Sequence, residues 1–313
     1  MTRIAFALAS LGVLVCLPAI ASAQVLPDIQ DALNRGTGID TALEEQRRTT
    51  LQRSAQEDGA IDGEAGVYVL TVNEIFYIGA SAGGGWSQNP VRTVDDLGDS
   101  LFGTAAMTGG VQTRIAETFD GGFAATVSGI EYDKAFAPSS RTITASTNLG
   151  LPIGNTPLYA SVNAFGGWNY DADFKNGTGF YGASLALSAG IPLNQRTVLR
   201  ASANAGRQEG EIVENNAWNA NLSLDLTHYL TQDIAIGAGA VVSRVWFDDF
   251  YEDVTFVTRR DWQYGGNVNA SWAATDWLSL SASVGYDKRD SAFFLSTYDG
   301  FEASFAVTAR KRF

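Results

Sequence analysis

Residues 218–227 read WNANLSLDLT. Trp218, Ala220, Leu222, Leu224 and Leu226 fall on one parity, and Asn219, Asn221, Ser223, Asp225 and Thr227 on the other. A period of two belongs to a β-strand, whose successive side chains point to opposite sides. The stretch therefore has one apolar face and one polar face. Residues 158–164 repeat it, with Leu158, Ala160, Val162 and Ala164 against Ser161 and Asn163, and residues 278–284 set Leu278, Leu280, Ala282 and Val284 against Ser279, Ser281 and Ser283. In all three the polar face is small and nearly uncharged, unlike a surface that meets bulk water.

From residue 66 onward the chain is strand after strand. Twelve are predicted, over 67–86, 100–116, 121–134, 140–152, 156–170, 178–192, 196–211, 216–230, 232–248, 256–274, 276–288 and 300–313. Their connections alternate between tight turns such as TFDG, IGNT and TQ and longer, more charged links such as DADFKNGTG, DDFYEDV and KRDSAFFLSTYDG. An even strand count with short turns at one end and longer loops at the other is the pattern of a membrane-spanning barrel.

Average properties point elsewhere: 313 residues carry a net charge of −13 with a mean hydropathy of −0.02. No run after residue 23 approaches the ~20 apolar residues of a membrane helix. Alternation explains the conflict, because an apolar face shared residue by residue with a polar one disappears in the mean. Backbone groups left unpaired in hydrocarbon cost several kcal/mol each, so such a sheet must close on itself. The expected fold is an all-β, transmembrane, antiparallel up-and-down barrel of about twelve strands over 66–313, with lipid outside and a polar lumen inside.

The amino terminus agrees. Arg3 precedes an apolar run from Ile4 to Ile20, and Ala21-Ser22-Ala23 supplies a small-residue cleavage site, so 1–23 read as a cleaved secretory signal peptide. Cys16, the single cysteine, lies within it, so neither disulfides nor thiol chemistry are expected in the mature chain. The remaining 290 residues hold 20 Lys and Arg, 21 less Arg3, against 34 Asp and Glu. That balance of −14 argues against nucleic acid as a partner. Residues 24–65 are helix-forming, with acidic residues outnumbering arginines nine to four. They read as a periplasmic helical or flexible segment: a solvated lead-in, a helix that docks a periplasmic partner, or a plug.

Tryptophan sorts in the same way. Trp86, Trp168, Trp218, Trp246 and Trp262 fall near the long-loop ends of their strands, and Trp272 and Trp277 near a short turn. Indoles gather at membrane interfaces, so these seven are expected to form two girdles. At the carboxyl end, Ala303, Phe305, Val307, Ala309 and Phe313 share one parity and the chain stops on a bare aromatic.

With signal peptide, alternating strands and terminal phenylalanine, residues 66–313 resemble bacterial outer-membrane β-barrels of the porin kind. The resemblance implies that Phe305, Val307, Ala309 and Phe313 form the signal read by the barrel-assembly machinery. Outer-membrane lipid and lipopolysaccharide are the expected partners, and on charge alone the acidic loops would bridge to lipopolysaccharide through divalent cations. Lys311 departs from the pattern and requires its stem to reach back to the interface.

The predicted lumen lining comprises Asn163, Asn204, Asn219, Asn221, Asn267 and Asn269, many serines, and the ionic groups Arg200, Asp225, Arg259, Asp261 and Arg310. Twelve strands enclose more than the eight that side chains alone fill and less than the sixteen of large porins. The first expectation is a narrow porin-like channel for small hydrophilic solutes, with loop 287–299 or the N-terminal segment narrowing it. The second is a non-conducting barrel serving surface structure, adhesion, or envelope export and assembly. A lipid-modifying enzyme is third, and catalysis is not expected: the single histidine, His228 in LTHYL, lacks an accompanying H-x-S pattern. No cofactor or metal site is expected. Asp171, Asp173 and Asn176 only faintly resemble a calcium loop, since Lys175 stands where a ligand should. Carboxylates such as Asp248 are placed in loops, and GGG at 83–85 and GAGA at 237–240 are read as bends or bulges. Arg244 falls on the lipid-facing parity, a conflict that a β-bulge would relieve.

Overall fold

The computed structural model describes residues 76–313 apart from 93–97, 117–118, 138, 155, 195, 212–215, 251–257 and 293–295. The predicted signal peptide, the 24–65 segment and the start of the first predicted strand lie outside these residues. Twelve strands close into one antiparallel barrel: β1 (Phe76–Ser87), β2 (Ser100–Ala116), β3 (Phe119–Tyr132), β4 (Ser140–Pro152), β5 (Leu158–Asp171), β6 (Thr178–Asn194), β7 (Thr197–Gly210), β8 (Ala217–Tyr229), β9 (Ile234–Phe250), β10 (Thr258–Ala273), β11 (Leu278–Ser291) and β12 (Tyr298–Arg312). Each strand pairs with its chain neighbours and β1 pairs with β12, so no sheet edge is left open. At the seam Phe313 N donates to the Phe76 carbonyl at 2.9 Å and Phe76 N to the Phe313 carbonyl at 3.3 Å. The last residue is thus a backbone clasp.

Burial separates the two faces. In β8, Leu222 and Leu224 are 59% and 55% exposed, while Asn221 beside them is 2% exposed. Two packed layers would hide those leucines. Here the greasy parity faces outward on strand after strand, with Phe123, Leu149, Val162, Leu185, Val268 and Phe305 all exposed. A patch of this extent in water is not tolerated by soluble monomers, and hydrocarbon is the medium that covers it.

The short turns use local hydroxyl chemistry. Thr231 Oγ1 accepts from the backbone N of Asp233 and Ile234, and Thr275 Oγ1 from that of Trp277 and Leu278, so one threonine satisfies two turn amides each time. At the opposite end Ser100 Oγ and Leu101 N donate to Asp133 Oδ1 at 2.6 and 2.9 Å, tying the loop after β3 to the start of β2. Those bonds, the serine's first, hold the Asp133 carboxyl below its ordinary range.

Three expectations are corrected. First, β9 reaches Phe250 and β11 reaches Ser291, so Asp248 sits in a strand and the predicted loop 287–299 shrinks to the residues between Ser291 and Tyr298. Charged side chains mark where lipid ends, but the ladder runs on past it, pairing Lys288 with Asp299 and Arg289 with Tyr298.

Second, among the described residues β1 and residues 237–240 show no register shift, so their glycines do not mark bulges. A Cβ on Gly83 would lie 2.2 Å from the Phe305 carbonyl oxygen, and one on Gly85 2.1 Å from that of Ala303. β1 and β12 approach too closely there for any side chain.

Third, no shift resets Arg244, which stays on the outer face with its guanidinium 4.8 Å from the Trp262 ring centre. Lys311 also stays outward, its Nζ 5.3 Å from the Phe313 ring centre.

Candidate functional site: the barrel lumen

Every residue predicted to line the lumen lies on the inward parity of its strand: Asn163 on β5, Arg200 and Asn204 on β7, Asn219, Asn221 and Asp225 on β8, Arg259, Asp261, Asn267 and Asn269 on β10, and Arg310 on β12. They do not form one site. In the middle of the barrel the wall is built from hydroxyls and amides. Thr108 and Thr126 are bonded across β2 and β3 at 2.9 Å, Ser202 and Ser223 across β7 and β8 at 2.8 Å, and Ser283 and Ser304 across β11 and β12 at 2.9 Å. These neutral cross-strand pairs fix the side chains against the wall and add no net charge.

One stretch of wall gathers stronger groups. Arg200 stands opposite Asp225 in the β7–β8 register. Asn269 Nδ2 donates to Asn267 Oδ1 at 3.1 Å. A Cβ on Gly239 would meet Asp225 Oδ1 at 2.5 Å and Asn267 Nδ2 at 3.1 Å, and one on Gly237 would meet Asn269 Oδ1 at 2.7 Å. The two glycines of β9 therefore let a carboxylate from β8 and two carboxamides from β10 lie across it. The group offers donors and acceptors suited to hydroxylated or ammonium-bearing solutes, with one fixed charge of each sign. Asp225→Asn should shift the reversal potential of a lumen current toward anions and Arg200→Gln toward cations. The permeability ratio should change by a factor of about five, corresponding to the roughly 1 kcal/mol of a unit charge at contact in water. Bi-ionic recordings measure it directly, and unchanged potentials would remove the Asp225 wall from the solute path.

At the long-loop end buried side chains gather on the inner face. Ile130, Tyr132 and Ala137 form one buried cluster with Phe102 packed on it, and Ala217, Val245 and Phe247 another. Beside them lies an ionic group from β10, β11, β12 and the loop after β1. Arg259 and Asp261 are 1% and 0% exposed, with Arg259 Nε and Nη2 donating to Asp261 Oδ2 at 2.9 and 2.6 Å. Ser291 Oγ donates to Asp261 Oδ1 at 2.5 Å, and Arg289 Nη1 lies 3.9 Å from Oδ2. Arg289 Nη2 donates to the Arg92 carbonyl at 3.2 Å, and both guanidiniums flank the Tyr298 ring. Arg92 turns inward on a left-handed backbone (φ 55°) and lies 3.8 Å from Asp287 and 3.9 Å from Glu302.

This cap was not foreseen as such. Arg259 and Asp261 belong to the predicted lining and Asp287 and Arg289 to the predicted narrowing stretch 287–299, whereas Arg92 and Glu302 carry no prediction. Among the described residues the group joins Arg92, after β1, to Asp287, Arg289, Ser291 and Tyr298 of the predicted stretch 287–299, of which residues 293–295 lie outside the described ones. A signal existed: Ile130, Tyr132, Val245 and Phe247 are large apolar residues on the polar parity, all near strand ends. Clustered at the long-loop end, they mark a packed patch there.

The other singled-out residues sit as follows. Trp86, Trp168, Trp218, Trp246 and Trp262 lie on the outer face near the long loops; Trp272 and Trp277 lie by the short turn after β10. Phe305 and Val307 point outward, as does Phe313. Arg310 lies at the short-turn end with its guanidinium 4.4 Å from the Tyr77 ring centre. His228 is on the outer face, its Nδ1 2.9 Å from Thr197 Oγ1. Asp171 is engaged by Lys175 N and Asn176 Nδ2, both at 2.7 Å, which makes residues 171–176 a self-bonded turn.

No family model and no curated protein matches the chain. Among solved structures, an outer membrane channel from Pseudomonas putida F1 is similar at 10% identity and a TM-score of 0.52, over 79% of this chain and 99% of that one. The β domain of the Bordetella autotransporter BrkA is similar at 12% identity and 0.45, over 75% and 99%. The NanC porin follows at 8% and 0.42, over 74% and 98%. Identities this low speak to architecture alone. The chain is a closed twelve-stranded antiparallel barrel with the fold of bacterial outer-membrane β-barrels.

Proposed function

We propose that this barrel is a narrow outer-membrane channel for small hydrophilic solutes, closed at its outer end in the resting state. The observation that carries the proposal is the run of cross-strand hydroxyl pairs and carboxamides along the lumen wall, at Thr108–Thr126, Ser202–Ser223, Ser283–Ser304 and Asn267–Asn269. Architectural similarity to an outer membrane channel supports it at the level of fold. The cap supports a gate: Arg289 is fully buried with Nε and Nη1 lacking hydrogen-bond partners. Leaving such groups unsatisfied costs about 1–3 kcal/mol, and more when charged. Opening would return that guanidinium to water, so the closed state carries a built-in tendency to open.

The test is single-channel recording of the purified barrel in planar bilayers, with residues 24–65 present and deleted. The native protein should give small, infrequent steps. Arg92→Ala removes the loop's ionic contacts to Asp287 and Glu302, and should raise open probability about tenfold, the shift that follows from roughly 1.4 kcal/mol. Silence from every form, Arg92→Ala included, would overturn the channel.

A further inference from the structure

The outer face near the long loops carries charge where a lipid-facing surface should carry none. Register sets Arg207 of β7, Trp218 of β8, Trp246 of β9 and Arg260 of β10 side by side in one row. One step toward the middle of the membrane, Arg244 of β9 stands opposite Trp262 of β10. Across β9 and β10 the result is a checkerboard, Trp246 beside Arg260 and Arg244 beside Trp262, with diagonal neighbours at about 7–8 Å.

Among the described residues, the carboxylates around this patch are already engaged. Arg207 takes Asp248 in a two-pronged contact and also bonds Glu209 at 3.1 Å. Lys288 takes Asp290 at 3.1 Å, and Asp299 accepts from the Tyr286 hydroxyl at 2.8 Å. Arg244 and Arg260 have no ion pair among the described residues. Arg244 rests on the Trp262 ring and Arg260 is exposed.

A lipid-facing cation is costly at the midplane of a bilayer and nearly free of cost at its interface. The exposed indoles of Trp218, Trp246 and Trp262 put these arginines at the interface. There the planar guanidinium, with paired N–H donors and weak hydration, is suited to phosphate rather than to water. Two such groups on adjacent strands, framed by indoles that pack on sugar rings and acyl chains, match a phosphorylated glycolipid.

We infer that Arg244 and Arg260, with Trp246 and Trp262, form a binding site for the phosphorylated headgroup of an outer-leaflet glycolipid. The site needs the barrel to sit in a membrane but not to conduct, so silent bilayer recordings would leave it standing.

The test uses the full-length barrel in detergent, titrated with bisphosphorylated lipid A and with its dephosphorylated counterpart, followed by native mass spectrometry and tryptophan fluorescence. The native barrel should hold the phosphorylated lipid. Arg244→Gln and Arg260→Gln should each weaken it about tenfold or more, as expected for a lost charge-assisted hydrogen bond, and should leave the weak binding of the dephosphorylated lipid unchanged. Arg244→Lys and Arg260→Lys, which keep the charge and lose the fork, should fall between. A gel shift between heated and unheated samples establishes that each variant is folded. Equal affinity for both lipids, or full affinity in the folded double Gln variant, would overturn the site. So would cross-linked dimers of the native barrel that the double variant loses while its lipid affinity stays intact, because the patch would then join two copies of the chain.

Discussion

Gly83→Ala and Gly85→Ala should each stop the barrel from closing. A methyl group on Gly83 would lie 2.2 Å from one backbone oxygen of β12, and on Gly85 2.1 Å from another. A flexible neighbour could rotate away, but a carbonyl in the ladder moves only if the strand moves. Separating β1 from β12 at a single pair exposes backbone N–H and C=O to hydrocarbon at several kcal/mol each. The expected loss is therefore about 4 kcal/mol or more, enough to deplete the folded form. Refolding into lipid vesicles, read by heat-modifiable gel mobility and urea midpoint, measures it. Gly103→Ala is the matched control, since a Cβ there meets nothing within 4 Å. If the Gly83 and Gly85 variants close and unfold like the Gly103 variant, the close approach is not what selects glycine at this seam.

Gly83 also shows how far the sequence could be read. A glycine in a strand announces that something forbids a side chain, but the forbidding atom belongs to a strand more than 200 residues away. Only the closed register identifies it. The fold itself was legible, because closure follows from physics that needs no partner: a greasy parity repeated through about twelve segments must be covered, and hydrocarbon tolerates no open edge. Sidedness of Asn221, Asn267 and Asp261 followed from parity alone. Their grouping did not, since Asp225 and Asn267 both lean over a glycine of the intervening strand. Arg244 was the most instructive residue. An outward charge looked like an error of register when lipid was treated as uniform, and became intelligible once its depth beside Trp262 was known.

Removing the Asp261 carboxylate should cost more than any other change in the lumen, and it separates a gate from a mere plug. Asp261 accepts hydrogen bonds from Arg259 and lies 3.9 Å from Arg289. Asp261→Ala leaves two buried guanidiniums facing each other without it. Breaking a buried pair from one side costs about 3–5 kcal/mol, mostly because the remaining charge is stranded. Two responses are available to the protein. If the cap is a gate, the arginines move into water as Arg92 swings away from Asp287 and Glu302. Single-channel steps then become larger and more frequent while the urea midpoint of the barrel falls little, since the strand ladders are untouched. If the cap is a fixed plug, the penalty falls on the barrel itself: the urea midpoint drops and no current appears. Asp261→Asn, which preserves shape and the acceptor for Ser291, should give the same direction of change with a smaller step. Recording and unfolding the same preparation distinguishes the two, and a lower midpoint with unchanged conductance would sink the gate.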